Sequence, residues 1–228
     1  MLLASVLLLA ASWRTLAPGM ELREGPIVVL RMDPARWELA LVGGASRTAR
    51  DWARGHGLAA AINAGMYATD GATHVGYMEC GGKISSKKIN AYRSVAAFSP
   101  KRGSDPPFRI IDLQGRADLD RLRSRYACLV QNLRLVQRPG VSRWGPQPKK
   151  WSEAALGEDR QGRILFMIAP DGYFTLHELS VYLTGSDLNL DIALNLDGGG
   201  STGILVANPR EIISPNTLLP FVILVYPR

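Results

Sequence analysis

The sequence predicts an α+β fold, a single domain with a large mixed or mostly antiparallel sheet and few helices. Three observations carry this. Short apolar runs rich in branched residues recur along the chain, turn residues separate them, and only three segments show convincing helical patterning. At 228 residues the chain can bury one substantial core but is short for two, so residues 13–228 are read as one domain.

Strands are expected at 27–30, 37–42, 58–62, 95–98, 108–111, 128–130, 164–169 and 221–226, each a short apolar run. Helices are expected at 47–54 ahead of Gly55, at 118–126 with Leu119, Leu122 and Tyr126 on one face, and at 176–184 before Gly185. The last has a start signal, since Thr175 followed three residues later by Glu178 fits a capping box. From Asp187 onward Leu188, Leu190, Ile192, Leu194 and Leu196 alternate with Asn189, Asp191, Ala193, Asn195 and Asp197, the pattern of a half-buried strand. Residues 69–93 hold Gly71, Gly76, Gly81 and Gly82 with little periodicity and read as a long surface loop, a candidate lid. A second irregular stretch, 137–151, sets Trp144 and Trp151 among prolines, where an aromatic ring can stack on a sugar or tuck the loop onto the core.

Composition excludes some classes. With 46% hydrophobic and 21% charged residues and no fixed repeat, neither disorder nor a solenoid fits. The net charge of +7 attracts anions, and Lys83, Lys87, Lys88 and Arg93, then Arg134, Arg138, Arg143, Lys149 and Lys150, form two basic clusters. Neither is interleaved with aromatics as a single-strand stacking platform would be, so no nucleic acid partner is expected. Residues 1–12 suit a signal peptide or a truncated N-terminal anchor, which places the protein outside the cytoplasm, secreted or periplasmic, near a membrane or cell wall. Export would allow Cys80 and Cys128 to pair; two buried thiols are the alternative. Three histidines, His56, His74 and His177, show no zinc spacing. A hard cation such as calcium shared by Asp187, Asp191 and Asp197 is a further alternative, on spacing that suits a strand face rather than a loop cage.

Two places read as chemistry. The strand ending at Asp197 runs into Gly198, Gly199 and Gly200, then Ser201 and Thr202; three glycines exceed what a tight turn needs and let main-chain amides approach a ligand. The run 58–62 likewise stops at Asn63, followed by Ala64, Gly65, Met66 and Tyr67, where an amide side chain can bond a hydroxyl or phosphate oxygen. The plain alternatives are a hairpin with an incidental aspartate and an ordinary turn asparagine.

Together with Gln131-Asn132-Leu133-Arg134 and Ala155-Leu156-Gly157 followed by Asp159, these segments resemble the phosphodiester glycosidase family in order and spacing, from Trp13 to the C-terminus, and the 144–152 stretch looks closer to a bacterial branch. Many relatives carry Gln-Ser-Gly-Pro where this chain has Gln131 to Arg134, and an arginine where Glu153 stands. The resemblance implies hydrolysis of a sugar-1-phosphodiester, with Asp197, Asn63 and Gln131 as catalytic residues in one pocket. Tyr67, Arg134, Lys150, Ser152, His177, Gly198, Gly199 and Ser201 are the expected contacts to an anionic sugar phosphodiester, and no metal site is assigned. A non-catalytic module binding anionic cell-wall glycans is the alternative.

Overall fold

The computed structural model describes residues 12–53, 59–206 and 218–228. Residues 1–11, expected as part of a signal peptide or anchor, and His56 lie outside them. The expected single large sheet is instead three antiparallel sheets. The first, of eight strands, runs in the order β1 (Arg14–Ala17), β2 (Met20–Arg23), β3 (Val28–Met32), β14 (Ile164–Phe174), β13 (Trp151–Asp159), β15 (Leu190–Asn195), β11 (Arg134–Gln137) and β12 (Val141–Ser142). The second, of five, runs β7 (Lys83–Ser86), β6 (Met78–Cys80), β10 (Tyr126–Asn132), β8 (Ser94–Pro100) and β9 (Phe108–Asp112). The third, of four, runs β16 (Ile204–Val206), β5 (Ala60–Asn63), β17 (Leu219–Pro227) and β4 (Trp37–Arg47).

One face of each sheet turns to a shared core. Leu30, Phe166, Ile192 and Leu194 enter it from the eight-stranded sheet, Phe98, Ile110 and Val130 from the five-stranded, and Ile62, Ile223 and Val225 from the four-stranded. The opposite faces are covered by one short helix each. On the eight-stranded sheet α3 (Leu176–Gly185) packs Leu179 and Leu183 against Val29, Leu165 and Met167. On the five-stranded sheet α2 (Arg116–Arg125) sets Leu119 and Leu122 against Val95, Ala97 and Leu129. On the four-stranded sheet Trp52 of α1 (Ala49–Ala53) meets Ala61, Val222 and Leu224. Burial on both faces is why 164–169 reads as an unbroken apolar run, with Ile164, Phe166 and Ile168 facing one way and Leu165, Met167 and Ala169 the other. Sheet dominates the fold more than the α+β expectation implies. The capping box at α3 is present: Thr175 Oγ1 accepts from the Glu178 amide (3.1 Å) and Glu178 Oε2 from the Thr175 amide (2.8 Å).

Three sequence readings are corrected. The 69–93 stretch is not a bare loop, because β6 and β7 form a hairpin in it with Cys80 opposite Lys83. Gly81 and Gly82, at φ 58° and 82°, are its two-residue turn. The strand read from Asp187 begins at Leu190, and its polar parity is not solvated: Asp191 and Asn195 are buried. Asp191 pairs with Arg138 and Asp187 with Arg23, so the aspartates weighed for a shared cation have separate partners. Among the described residues no group of three or more His, Cys, Asp or Glu is arranged to hold a metal ion. Cys80 and Cys128, directly opposite on β6 and β10, form a disulfide.

Candidate active site

The site is built where the three sheets meet. β15 lies against β13 with Leu194 opposite Leu156 and Asn195 opposite Ala155. One residue further, the Leu196 amide still donates to Ala154 O (2.8 Å). Then the chain leaves the sheet. The Asp197 amide turns to Gly65 O (3.2 Å), and Asn63 Nδ2 donates to Asp197 O (3.0 Å), so the end of β5 in the four-stranded sheet holds Asp197 from two sides. Asn132, on β10 of the five-stranded sheet, accepts from the Met66 amide (3.2 Å) and donates to Ala64 O (3.2 Å). From Asp197 the glycine segment crosses to β16, which pairs Ile204 with Ile62 of β5.

The glycines are needed here for space. A Cβ on Gly198 would lie 2.4 Å from Ser152 O and 3.3 Å from Glu153 Oε2, closer to the Ser152 carbonyl than packed atoms come. Gly199 takes φ 62°, a left-handed conformation that glycine adopts without strain. Ser152 Oγ donates to Gly199 O (3.0 Å), and Ser201 hydrogen-bonds the Asp197 carboxyl.

A cavity of about 300 Å3 opens over this junction, lined by Met66, Trp151, Glu153, Leu176, Asn195, Asp197, Gly198 and Gly199. Two carboxyl groups line it, Glu153 of β13 and Asp197 just past the end of β15. Burial and then the charge of Asp197 push the Glu153 carboxyl up to about 7. Burial raises Asp197 as well, opposed by the Ser201 hydrogen bond. Glu153 therefore keeps its proton up to about pH 7 and feels the charge of Asp197, a pairing of neighbouring carboxyls that suits one as acid and the other as anion. The negative charge is also felt at Tyr67, whose phenol is pushed upward by burial and then by Asp197. Asn195 Oδ1 is buried with no partner among the described residues, an acceptor on a cavity wall. Trp151, 45% exposed, presents an indole ring at the cavity with the Lys149 ammonium 3.7 Å from its centroid.

The sequence-predicted residues divide. Asp197, Gly198 and Gly199 line the cavity, while Ser201, Ser152 and Asn63 hold that segment. Tyr67 donates its hydroxyl to Phe221 O (2.8 Å). Gln131 lies elsewhere. Its amide accepts from the Tyr77 amide (3.1 Å) and donates to Asn90 O (3.2 Å) and Tyr92 O (2.5 Å), and it lines a different cavity, one that shares no lining residue with the first. Arg134 pairs with Asp112 (3.2 Å), Lys150 with Glu178 (3.1 Å), and His177 Nδ1 meets Trp144 O (2.6 Å). His74 is buried against Gln131 O (2.9 Å) beside Gly65, and burial lowers its pKa. No residue of the expected 69–93 lid lines the carboxylate cavity. Sequence reasoning missed Glu153, Asn195 and, as the neighbour of Gln131 that reaches the junction, Asn132. The available signal was a lone acid at the head of the apolar run Ala154-Ala155-Leu156.

Comparison with known proteins places residues 56–226 in the phosphodiester glycosidase family model. Among solved structures the chain is similar to the zebrafish N-acetylglucosamine-1-phosphodiester alpha-N-acetylglucosaminidase catalytic domain, auto-inhibited by its pro-peptide. The TM-score is 0.68 at 16% identity, covering 96% of this chain and 82% of that one. It is also similar to a hypothetical protein from Synechocystis (TM-score 0.59, 15% identity), covering 96% of this chain and 61% of that one. At such identities the likeness is one of fold. Comparison with curated proteins found no match.

Proposed function

Because the chain belongs to the phosphodiester glycosidase family, we propose that it is a hydrolase that cuts a sugar-1-phosphodiester between the anomeric carbon and the bridging phosphate oxygen. The observation that carries the reading is the Glu153 and Asp197 pair on one cavity, with Glu153 pushed up to about 7. Glycoside cleavage uses one carboxylic acid and one carboxylate. Glu153 donates its proton to the departing phosphate oxygen as the C1–O bond breaks. Asp197 is the anion facing the anomeric carbon, where water finally supplies the hydroxyl. The products are the free sugar and a phosphomonoester. Trp151 offers an apolar platform for a sugar ring and Asn195 Oδ1 an acceptor for a hydroxyl.

A module that only bound an anionic glycan would have no use for a protonated carboxyl beside an anionic one, whereas cleavage of a glycosidic bond uses both. The Cys80–Cys128 disulfide and the apolar leader support work outside the cytoplasm, on a glycan of the cell surface or wall. Among the described residues no helix is long and apolar enough to cross a membrane. The test is turnover of a panel of sugar-1-phosphodiesters in 18O-labelled water, with products weighed by mass spectrometry. Label in the sugar is expected; label in the phosphate means phosphorus is attacked and ends the glycosidase reading.

A further inference from the structure

Beside the carboxylate cavity lies another of about 210 Å3, lined by Ala91, Arg93, Leu133, Arg134, Arg143 and Trp144. Two hydrogen bonds connect their linings. On one side Leu133 O accepts from the amide of Asn195, a residue of the first cavity (2.7 Å). On the other, His177 holds the Trp144 carbonyl one residue from Leu176, which also lines the first cavity.

Three of the six lining residues are arginines. Asp112 answers Arg134 (3.2 Å), and Arg143 Nε meets the neutral Gln137 Oε1 (3.2 Å). Arg93 has no side-chain hydrogen bond or ion pair among the described residues, so the cavity keeps a surplus of positive charge. The Trp144 indole Nε1 is spent on Arg134 O (3.1 Å), leaving its ring as a plain wall. Clustered like charges repel unless an anion joins them, and planar guanidinium forks match the paired oxygens of a phosphate.

Resting on the hydrolase reading above, we infer that this cavity receives a second phosphate group, carried on the departing half of the substrate. The substrate class is then a glycosyl phosphodiester whose aglycone is itself phosphorylated, as in a chain of repeating phosphate links. Arg93, Arg134 and Arg143 read the charge one step beyond the bond that breaks at Glu153 and Asp197.

Two measurements test this separately from catalysis. Calorimetric binding of inorganic pyrophosphate to the wild-type chain is compared with R93A/R143A; both arginines are exposed, and a melting curve checks the fold. A loss of about tenfold or more in affinity is expected, the scale of one charge-assisted bond pair. A change below twofold overturns the inference. The second measurement takes two diesters of one sugar 1-phosphate, one with a methyl aglycone and one with a glycerol phosphate aglycone. The wild type is expected to favour the second in kcat/KM by about tenfold, with the ratio near one in R93A/R143A. A wild-type ratio near one, or a double variant that slows both substrates alike, assigns the arginines to a free anion or to the scissile phosphate and overturns it. Arginine-dependent pyrophosphate binding with neither diester cleaved supports the phosphate cavity and sinks the hydrolase reading instead.

Discussion

Replacing Glu153 by glutamine removes the proton donor and, above neutrality, a buried charge. In the folded chain this carboxyl titrates at about 7 against an ordinary 4.5. Between those values the folded protein holds a proton that the unfolded chain has released, so stability falls as pH rises through the window, with the full cost reached above 7. The difference of about 2.5 pKa units, at 1.36 kcal/mol each, is on the order of 3 kcal/mol. Glutamine keeps the shape without the charge, so E153Q should lose turnover yet melt higher than the wild type at pH 8. For a chain of this size the gain is about 6–12 °C, shrinking toward zero at pH 4. Scanning calorimetry of both proteins at pH 4, 6 and 8, beside a turnover assay, checks this. A gain of equal size at pH 4 and pH 8, or a lower melting point at pH 8, would show that Glu153 is not a strained acid and would refute the pairing argument.

In the wild type, kcat/KM should fall as pH rises through about 7, following loss of the Glu153 proton; a pH–rate profile flat from 6 to 8.5 would count against it. D197N should cut turnover by about 100-fold or more while keeping ligand affinity and melting point, measured on one preparation. G198A places a Cβ against the Ser152 carbonyl and should cost about 1–3 kcal/mol with most of the activity, read from urea unfolding and turnover. Q131L should leave the Glu153 pH dependence in place while hydrogen exchange quickens at Tyr77, whose amide loses its acceptor; unchanged protection there would refute the anchoring role.

Eight apolar runs were legible as strands because each buries branched side chains against a sheet face, and period two survives even where both faces are covered. β13 was harder. Its small residues, Ala154, Ala155 and Gly157, carry little strand signal alone, and Gly157 is small because Met167 and Leu190 press on it from β14 and β15. Asp197 was readable since a strand runs into glycines there, and so was Asn63. Glu153 was not, because its meaning depends on the register that sets β13 beside β15. Gln131 misled for a related reason: strand parity turns it to the 74–92 segment, while Asn132, next in the chain, points to the junction.

The crossing from β15 to β16 makes the glycine segment a seam between two sheets. A seam reports on alignment. Slippage of one sheet against another by a fraction of a hydrogen-bond length would part Asn63 and Gly65 from Asp197 while every strand kept its own ladder. On gentle warming or in low denaturant, activity should therefore vanish while far-ultraviolet circular dichroism still reads native, and return on cooling, so that catalysis serves as a gauge of sheet docking rather than of secondary structure.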